Sequence, residues 1–372
     1  MKRLVVLFAA LGAGCGGDDG GGSLDDAKPV IAAYATNVHA NYDDTLAGAL
    51  DLQTKVAAFV ATPNDTTLGA ARMSWLAARE PYLLTEVYRF YDGPIDNAED
   101  GPEGQINAWP LDEVYIDYVD GDPTAGIVND PTIAITKEML AARNEDGGEK
   151  NISTGYHAIE FLLWGQDLSD SGPGARPVTD YTTAPNADRR KQYLTVVTEL
   201  LVDDLTAVRD AWTPGTDYAA ELTTVAPAEA LRRMLQGMGA LGGAELAGER
   251  MTTAYDNRDQ EDEHSCFSDN THRDLRGNAI GIENVYFGRY ATTDGPGLDD
   301  LVKARDPELA ARLGDEIAAS IAAIEAIPAP FDQALVNEAE RPKILAAVRA
   351  LQKQTETVVE VATLLGITIN LE

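Results

Sequence analysis

Apolar residues recur every three or four positions along most of the chain, and this spacing predicts amphipathic α-helices. The pattern is clearest over residues 28–60, 66–91, 188–212, 227–255 and 307–365. The strict alternation that would predict a β-strand is limited to a short stretch at residues 367–371. The hydrophobic pattern therefore predicts an all-α protein.

The predicted helices fall into two groups, which are separated by a Gly- and Pro-rich loop over residues 169–186. A chain of 372 residues is long enough for two domains with sizeable cores. We therefore predict two helical-bundle domains, residues 25–184 and residues 185–372, after an N-terminal segment of residues 1–24.

One stretch, NISTGYHAIEFLLWGQD over residues 151–167, places a polar pair on an otherwise apolar helix. His157 and Glu160 are three residues apart and therefore share one face. A buried imidazole and a buried carboxylate are costly without partners, so they require either a metal ion or a closed hydrogen-bond network. The spacing alone favours a structural pair over a pair of metal ligands.

Gly155, His157 and Glu160 match the GxHxxE signature of the imelysin-like family, and the chain resembles the iron-regulated protein A branch of that family. The segments AAREPYLLTEVYRFYDGPID, WGQD, GPGARPVTDY and EDEHSCFSDNTH also resemble this branch. The resemblance covers nearly the whole mature chain. It implies two helical-bundle domains, and it links the protein both to iron uptake and to metallopeptidase activity.

A second polar stretch, residues 259–272, holds five acidic side chains, a cysteine and two of the four histidines, His264 and His272. On chemistry alone, a solvated acidic loop and a ligand site are equally good interpretations. The resemblance favours the site. We expect Asp269 or His272 to line one cavity with His157 and Glu160, at the junction of the two bundles.

Two segments before the central stretch add further candidates. The helix predicted over residues 66–91 carries Arg79 and Glu86 on one side, and Pro81 should kink it. The following loop, residues 92–122, is rich in Gly and Pro but also holds aromatic residues. Long ordered loops in compact domains often carry function, so we expect Trp109 to pack near His157.

These observations define a candidate site around a metal ion. The predicted metal ligands are His157, Glu160 and Glu86, and the predicted lining residues are Gly155, Arg79, Trp109, Asp112, Trp164, Asp269 and His272. Imidazole nitrogen and carboxylate oxygen suit iron or zinc, and copper is possible. Since the resemblance links the chain to iron uptake, we expect iron, with zinc or copper as alternatives. Arg79 could balance surplus carboxylates or hold an anionic ligand.

Four glycines weaken the helix predicted over residues 227–255, each by about 1 kcal/mol relative to Ala. They are Gly237, Gly239, Gly242 and Gly243. We expect them to let another helix approach closely, and the central stretch is one candidate for that helix.

The chain begins MKRLVVLFAALGAGCGG, where a basic pair precedes an apolar run too short to span a membrane. This pattern predicts a secretory signal. Cys15 and the Gly/Asp-rich tether after it resemble a bacterial lipoprotein processing site, although Gly12 stands where a large apolar residue is expected. We predict lipidation of Cys15 and anchoring in the bacterial envelope, at the outer membrane or in the periplasm. An ordinary cleaved signal is the alternative.

The formal net charge of −32 excludes nucleic acid and anionic membrane faces as partners, because such a surface repels both. It attracts cations only weakly and without specificity. An acidic surface is therefore compatible with a metal-binding protein but does not identify one.

Three functions remain open from the sequence. The first is an envelope protein that holds a metal ion or a small metal chelate in iron acquisition, with protein partners in metal uptake possible. The second is a zinc metallopeptidase, in which a carboxylate such as Glu86 activates water. The third is a helical scaffold in which His157 and Glu160 form only a buried hydrogen bond.

Overall fold

The computed structural model describes residues 24–169 and 172–371, and this part of the chain is predominantly helical, with long loops and two short strands. The predicted all-α fold is therefore confirmed. The predicted signal, the tether and Cys15 lie outside the described residues. Within those residues, none of the helices combines the length and the apolar character needed to cross a membrane.

The described residues of the first half of the chain form seven helices and two 3-10 turns. The helices are α1 (Lys28–Ala61), α2 (Asp65–Leu83), α3 (Glu103–Asn107), α4 (Glu113–Ile116), α5 (Gly126–Asn129), α6 (Lys137–Arg143) and α7 (Gly155–Trp164). The 3-10 turns are Asp25–Ala27 and Glu86–Tyr88.

Over residues 172–371, the second half forms nine α-helices, one π-helical segment, two 3-10 turns and two short strands. The helices are α8 (Ala187–Ala211), α9 (Asp217–Thr224), α10 (Pro227–Ala240), α11 (Thr253–Asn257), α12 (Thr271–Phe287), α13 (Leu298–Lys303), α14 (Pro307–Glu325), α15 (Phe331–Val336) and α16 (Arg341–Leu364). The π segment is Leu241–Thr252, the 3-10 turns are Val178–Tyr181 and Gln260–Asp262, and the antiparallel strands are β1 (Arg289–Tyr290) and β2 (Thr293–Asp294).

Helices α1 and α2 form an antiparallel hairpin, and α2 ends earlier than the pattern predicts. Asn64 caps α2, because its side chain accepts hydrogen bonds from two backbone N–H groups of the first turn. Pro81 lies in the last turn, and the helix ends at Leu83. The prediction that it continues to residue 91 is wrong, since the chain breaks into the 3-10 turn Glu86–Tyr88.

Helix α7 is the buried centre of the N-terminal half, because it packs against α2, α3 and α8 and all ten of its residues are buried. Helix α8 also packs against α1, and α12 packs against α2. The boundary predicted at residues 184–185 therefore falls between elements that share one continuous core. The division into two domains stays a prediction.

Helix α10, the π segment and α11 form one continuous helical rod over residues 227–257. A Cβ added at Gly237 would lie 2.1 Å from the carbonyl oxygen of Val87. A glycine at this position therefore leaves room for the 3-10 turn Glu86–Tyr88 to pack against the helix. Gly242 and Gly243 face Thr355 of α16. The close approach expected from these glycines is therefore made by that turn and by α16, and not by α7.

The C-terminal end of the chain does not form the strand suggested by its alternation. Residues 367–371 are extended but belong to no strand, and the Asn370 N–H donates to Gln236 on α10 at 2.8 Å. Side-chain bonding to a helix thus replaces sheet pairing in this segment.

Candidate functional site

Gly155 begins α7 and lets the end of α3 press against it. Its φ of +81° is favourable only for glycine, and an added Cβ would lie 2.4 Å from the carbonyl oxygen of Ile106. This close approach brings the residues after Ile106 beside the first turn of α7. Asn107 and Trp109 thereby reach the surroundings of His157.

The first polar pair is His157 and Glu160, and both side chains are fully buried. His157 Nδ1 lies 3.0 Å from Glu160 Oε2, while Glu160 Oε1 accepts from the N–H (2.9 Å) and the hydroxyl (2.6 Å) of Ser268. Burial raises the pKa of Glu160 to about 8, and burial holds the pKa of His157 well below its usual value. At neutral pH, protonated Glu160 therefore donates to Nδ1. The Nε2 atom of His157 has no hydrogen-bond partner in the described part of the chain.

The second polar pair is His264 and Asp274, and it has a different charge. His264 Nδ1 lies 2.7 Å from Asp274 Oδ2, which also accepts from Arg79 Nη2 at 2.9 Å and from the Ser265 hydroxyl at 2.6 Å. Burial acts to raise the pKa of Asp274, but the Arg79 guanidinium outweighs it and holds that pKa well below its usual value. Burial, with Arg250 nearby, lowers the pKa of His264 to about 4. A neutral imidazole therefore donates from Nδ1 to an ionised carboxylate, which leaves a lone pair on Nε2.

The two pairs meet face to edge and form one site. The ring centroids of His157 and His264 are 4.7 Å apart. The Trp109 ring lies 4.9 Å from that of His157, 6.5 Å from that of His264 and 5.8 Å from that of Phe267. The structure thus brings together the central stretch, the aromatic loop and the second polar stretch.

Asn107 links Arg79, the cation that contacts Asp274, to the imidazole of His264. Its Oδ1 accepts from Arg79 Nη1 at 2.5 Å, and its Nδ2 lies 3.4 Å from His264 Nε2. The Arg79 guanidinium also lies over the rings of Trp75 and Tyr156. Arg79 therefore acts as a buried counter-charge to Asp274.

A cleft of about 410 Å³ opens onto His264. It is lined by Arg89, Glu103, Asn107, Ala108, Trp109, Pro110, Glu145, Glu149, Lys150, Glu245, Glu249, Arg250, Thr253, Asp262 and His264. This lining holds six carboxylates and three cationic side chains. The site is therefore reached through an acidic opening.

Glu86 lies in an arginine network behind this cleft. Arg89 Nη1 donates to Glu86 Oε2 at 3.1 Å, and Arg250 Nη2 donates to the same oxygen at 2.5 Å. Burial opposes ionisation, but the two arginines outweigh it and lower the pKa of Glu86 to about 2. Glu86, predicted as a metal ligand, is thus held as the carboxylate of a buried ion-pair network.

Asp269 and His272, the residues predicted from the second polar stretch, lie beside the site and not between its two pairs. Asp269 shares a hydrogen bond with Asp167, and burial, with the charges of Asp332 and Asp167, raises its pKa to about 7. The His272 ring is half-buried on α12, and its Nδ1 has no hydrogen-bond partner among the residues described. His264 takes the position that was expected for one of them.

Asp112 and Trp164, two further predicted lining residues, have other contacts. The Asp112 side chain caps α4, and its backbone N–H donates to the carbonyl of Lys150 on the cleft wall. The Trp164 ring packs 5.4 Å from that of Trp75, under the Arg72 guanidinium, and lines a separate cleft near Gly165.

Sequence reasoning did not single out Asn107, His264, Ser268 and Asp274 as site residues. His264 was visible within the second polar stretch, but the prediction named Asp269 or His272 from that stretch. The chain turns back between Glu263 and Asn270, and this turn aims His264 inwards. For Asn107 and Asp274 no sequence signal distinguishes them from ordinary polar residues.

The metal-coordinating atoms at the site suit a metal ion that already has some of its coordination positions filled by a chelate. In residues 24–169 and 172–371, no group of three or more His, Cys, Asp or Glu side chains is arranged to hold a metal ion. The available nitrogen is Nε2 of His264, because the neutral His157 accepts at Nδ1 and therefore carries its proton on Nε2, while Glu160 is already bonded to His157 and Ser268. One imidazole can complete the coordination of a chelate, but it does not form a closed site for a bare ion.

Comparison with known proteins places the chain in a family context. The model of the Imelysin family matches residues 38–358. Iron-regulated protein A of Synechococcus elongatus is 26% identical over 371 residues, which cover 95% of this chain and 92% of that protein. A crystal structure of a protein described as an iron-regulated protein A precursor, from Parabacteroides distasonis, superposes with a TM-score of 0.74 at 22% identity. It covers 93% of this chain and 97% of that one, and this likeness shows the shared fold.

Proposed function

Since this chain belongs to the imelysin family, we propose that it binds a metal ion or a small metal chelate at His264 and serves iron acquisition. The relative from Synechococcus elongatus is named for its regulation by iron, which supports an iron-related role. Iron is accordingly the metal we propose, ahead of zinc or copper.

The orientation of His264 is the observation that carries this proposal. A metal-binding histidine commonly donates its second ring N–H to a carboxylate, which fixes the tautomer and makes the free nitrogen a better ligand. Asp274 takes this role at 2.7 Å, and His264 lines the cleft. A pKa of about 4 keeps the imidazole unprotonated at neutral pH, as a metal ligand must be.

His264 would hold the metal and supply a nitrogen ligand, and His157 behind it would offer an N–H from Nε2 to a ligand of the complex. A bound chelate would contribute its remaining oxygen or nitrogen ligands, and the cleft of about 410 Å³ has room for a small complex. Trp109 packs against both rings and limits the access of water to them.

The same geometry favours binding over peptidase activity. A catalytic zinc site commonly uses three protein ligands and keeps a fourth position for water. Glu86 is held by two arginines and Glu160 by Ser268, so neither carboxylate stands free to activate water. A purely structural role for the polar pairs leaves the cleft and the unpartnered His157 Nε2 without a purpose.

We also propose that the protein acts outside the cytoplasm, anchored through lipid on Cys15. The basic pair, the short apolar run and the cysteine after it support this placement. A lipid anchor would hold the metal-binding cleft at the envelope, where protein partners in metal uptake could receive its ligand.

Anaerobic titration with iron(II), whose aqua complex is cationic and exchanges its water ligands readily, tests the proposal. Isothermal calorimetry should show one bound complex per chain, together with a rise in Tm. His264→Ala should abolish both effects, and His264→Gln, whose amide can still donate to Asp274, guards against simple misfolding. His39→Ala is the matched control, because His39 lies on α1 beside Asp43 and Thr213. Absence of iron binding by the wild-type protein would overturn the proposal.

A further inference from the structure

The two walls of the cleft come from distant parts of the chain and carry the same charge. Glu103 on α3 lies on one wall, and Glu245 and Glu249 on the π segment lie on the other. Glu145 and Glu149, from the turn before α7, add two exposed carboxylates to the lining. A ligand that enters the cleft therefore passes between carboxylates on both sides.

The lining holds six carboxylates against three cations, of which the single lysine is exposed. The two arginines do not offset the excess, because each is already shared between carboxylates. Arg89 donates to Glu86 and lies 3.0 Å from Glu103, while Arg250 donates to Glu86 and lies 3.5 Å from Glu245. Three carboxylates thus face two guanidinium groups. The fully buried Oε1 of Glu86 has no hydrogen-bond partner within the described part of the chain.

The pKa of Glu103 reflects repulsion from neighbouring carboxylates. Burial raises the pKa of this carboxyl, Arg89 opposes the rise, and the charges of Glu86 and Glu245 add to it. Carboxylates held together against their repulsion are stabilised when a cation enters between them. This arrangement differs from the acidic surface at large, because here the carboxylates line one cleft that also holds His264.

We propose that the cleft selects a metal complex of net positive charge, recognised by Glu103 on one wall and by Glu245 and Glu249 on the other. The proposal rests on the function proposed above and specifies the class of its ligand. A cationic complex is attracted by both walls and reaches His264, whereas an anionic chelate is repelled before it can contact the imidazole. The carboxylates would thus supply selectivity, and the imidazole the bond to the metal.

Hexaamminecobalt(III) and ferric citrate are suitable probes, because the first is a compact trivalent cation and the second an anionic chelate. Calorimetry on the full chain should show one tight site for the cobalt complex. The double variant Glu245→Gln/Glu249→Gln should weaken it by about tenfold, since two charges facing the ligand are lost. Glu356→Gln, on the outer face of α16, should leave the affinity within about twofold.

The possible outcomes separate this inference from the proposed function. If ferric citrate binds the wild type and the double variant equally tightly, the cleft carboxylates do not repel it, and the charge inference is overturned while metal-chelate binding stands. Equal weakening by the double variant and by Glu356→Gln would show that the cobalt complex binds the surface at large, which also overturns the inference. If neither probe nor iron(II) binds, the proposed function fails with it.

Discussion

The two pairs at the site each join an imidazole to a carboxyl group, but the carboxyl group is protonated in one pair and ionised in the other. His157 with Glu160 and His264 with Asp274 are all buried, and in each pair a histidine Nδ1 bonds a carboxyl oxygen. Glu160 holds its proton to a pKa of about 8, whereas Asp274 stays ionised far into acid.

The difference between the pairs comes from one guanidinium group. Arg79 donates directly to Asp274, whereas Glu160 receives its hydrogen bonds from the neutral Ser268. Burial penalises both carboxylates, and only a contacting cation reverses the penalty. A neutral pair beside a charged pair lets two imidazoles lie 4.7 Å apart without a second buried charge.

The largest effect is expected from Arg79→Met, which leaves the Asp274 carboxylate buried without its cation. Breaking a buried ion pair from one side typically costs about 3–5 kcal/mol of unfolding free energy. Urea unfolding at pH 7 measures this cost. Arg312→Met, which removes an exposed ion pair with Glu360, should cost less than about 1 kcal/mol. A similar cost for both variants would contradict the role assigned to Arg79.

The next effect should appear in the pH dependence of Glu160→Gln, measured in the presence of a chelator. The pKa of Glu160 is about 8 in the folded protein and 4.5 as a reference, so between these values the folded state holds a proton that the unfolded state has released. Wild-type stability therefore falls as pH rises from 4.5 to 8. Glutamine mimics the protonated acid and removes this fall, so the variant should gain on the wild type as pH rises.

Acid should destabilise the protein through the other pair, His264 and Asp274. The change of stability with pH therefore has the opposite sign to that caused by Glu160. The pKa of His264 is about 4 when folded and 6.5 as a reference, so its contribution to stability is lost as pH falls from 6.5 to 4. The Glu160→Gln variant should lose as much stability as the wild type when the pH falls from 6.5 to 4. A variant with altered acid unfolding and no gain at high pH would show that Glu160 is ionised in the folded protein.

A smaller effect distinguishes the two serines that donate at 2.6 Å, Ser265 to Asp274 and Ser268 to Glu160. A hydrogen bond to a charged acceptor contributes about 1.5–3 kcal/mol, and a neutral one about 0.5–1.5 kcal/mol. At pH 7, Ser265→Ala should therefore destabilise the protein more than Ser268→Ala. Chemical unfolding at pH 9, where Glu160 is ionised, should bring the two costs closer together. Equal costs at pH 7 would mean that the two carboxyls carry the same charge.

Much of the site's surroundings followed from local sequence signals. The apolar spacing predicted α1, α8 and the α14–α16 hairpin, because helix formation depends on residues close in the chain. The pair on α7 was visible for the same reason, since three residues separate His157 from Glu160. Trp109 was expected beside His157 from the character of its loop, and its ring lies 4.9 Å from that of the histidine.

The partners of that pair depended on contacts between distant segments, which no local pattern encodes. Ser268 meets Glu160 across 108 positions, and Arg79 meets Asp274 across 195. Only the packing of α12 against α2, and the turn that directs His264 inwards, bring these groups together. The sequence by itself thus determined the helices and one polar pair. The tertiary structure decided which carboxyl is charged, because that depends on whether a guanidinium group from another helix reaches it.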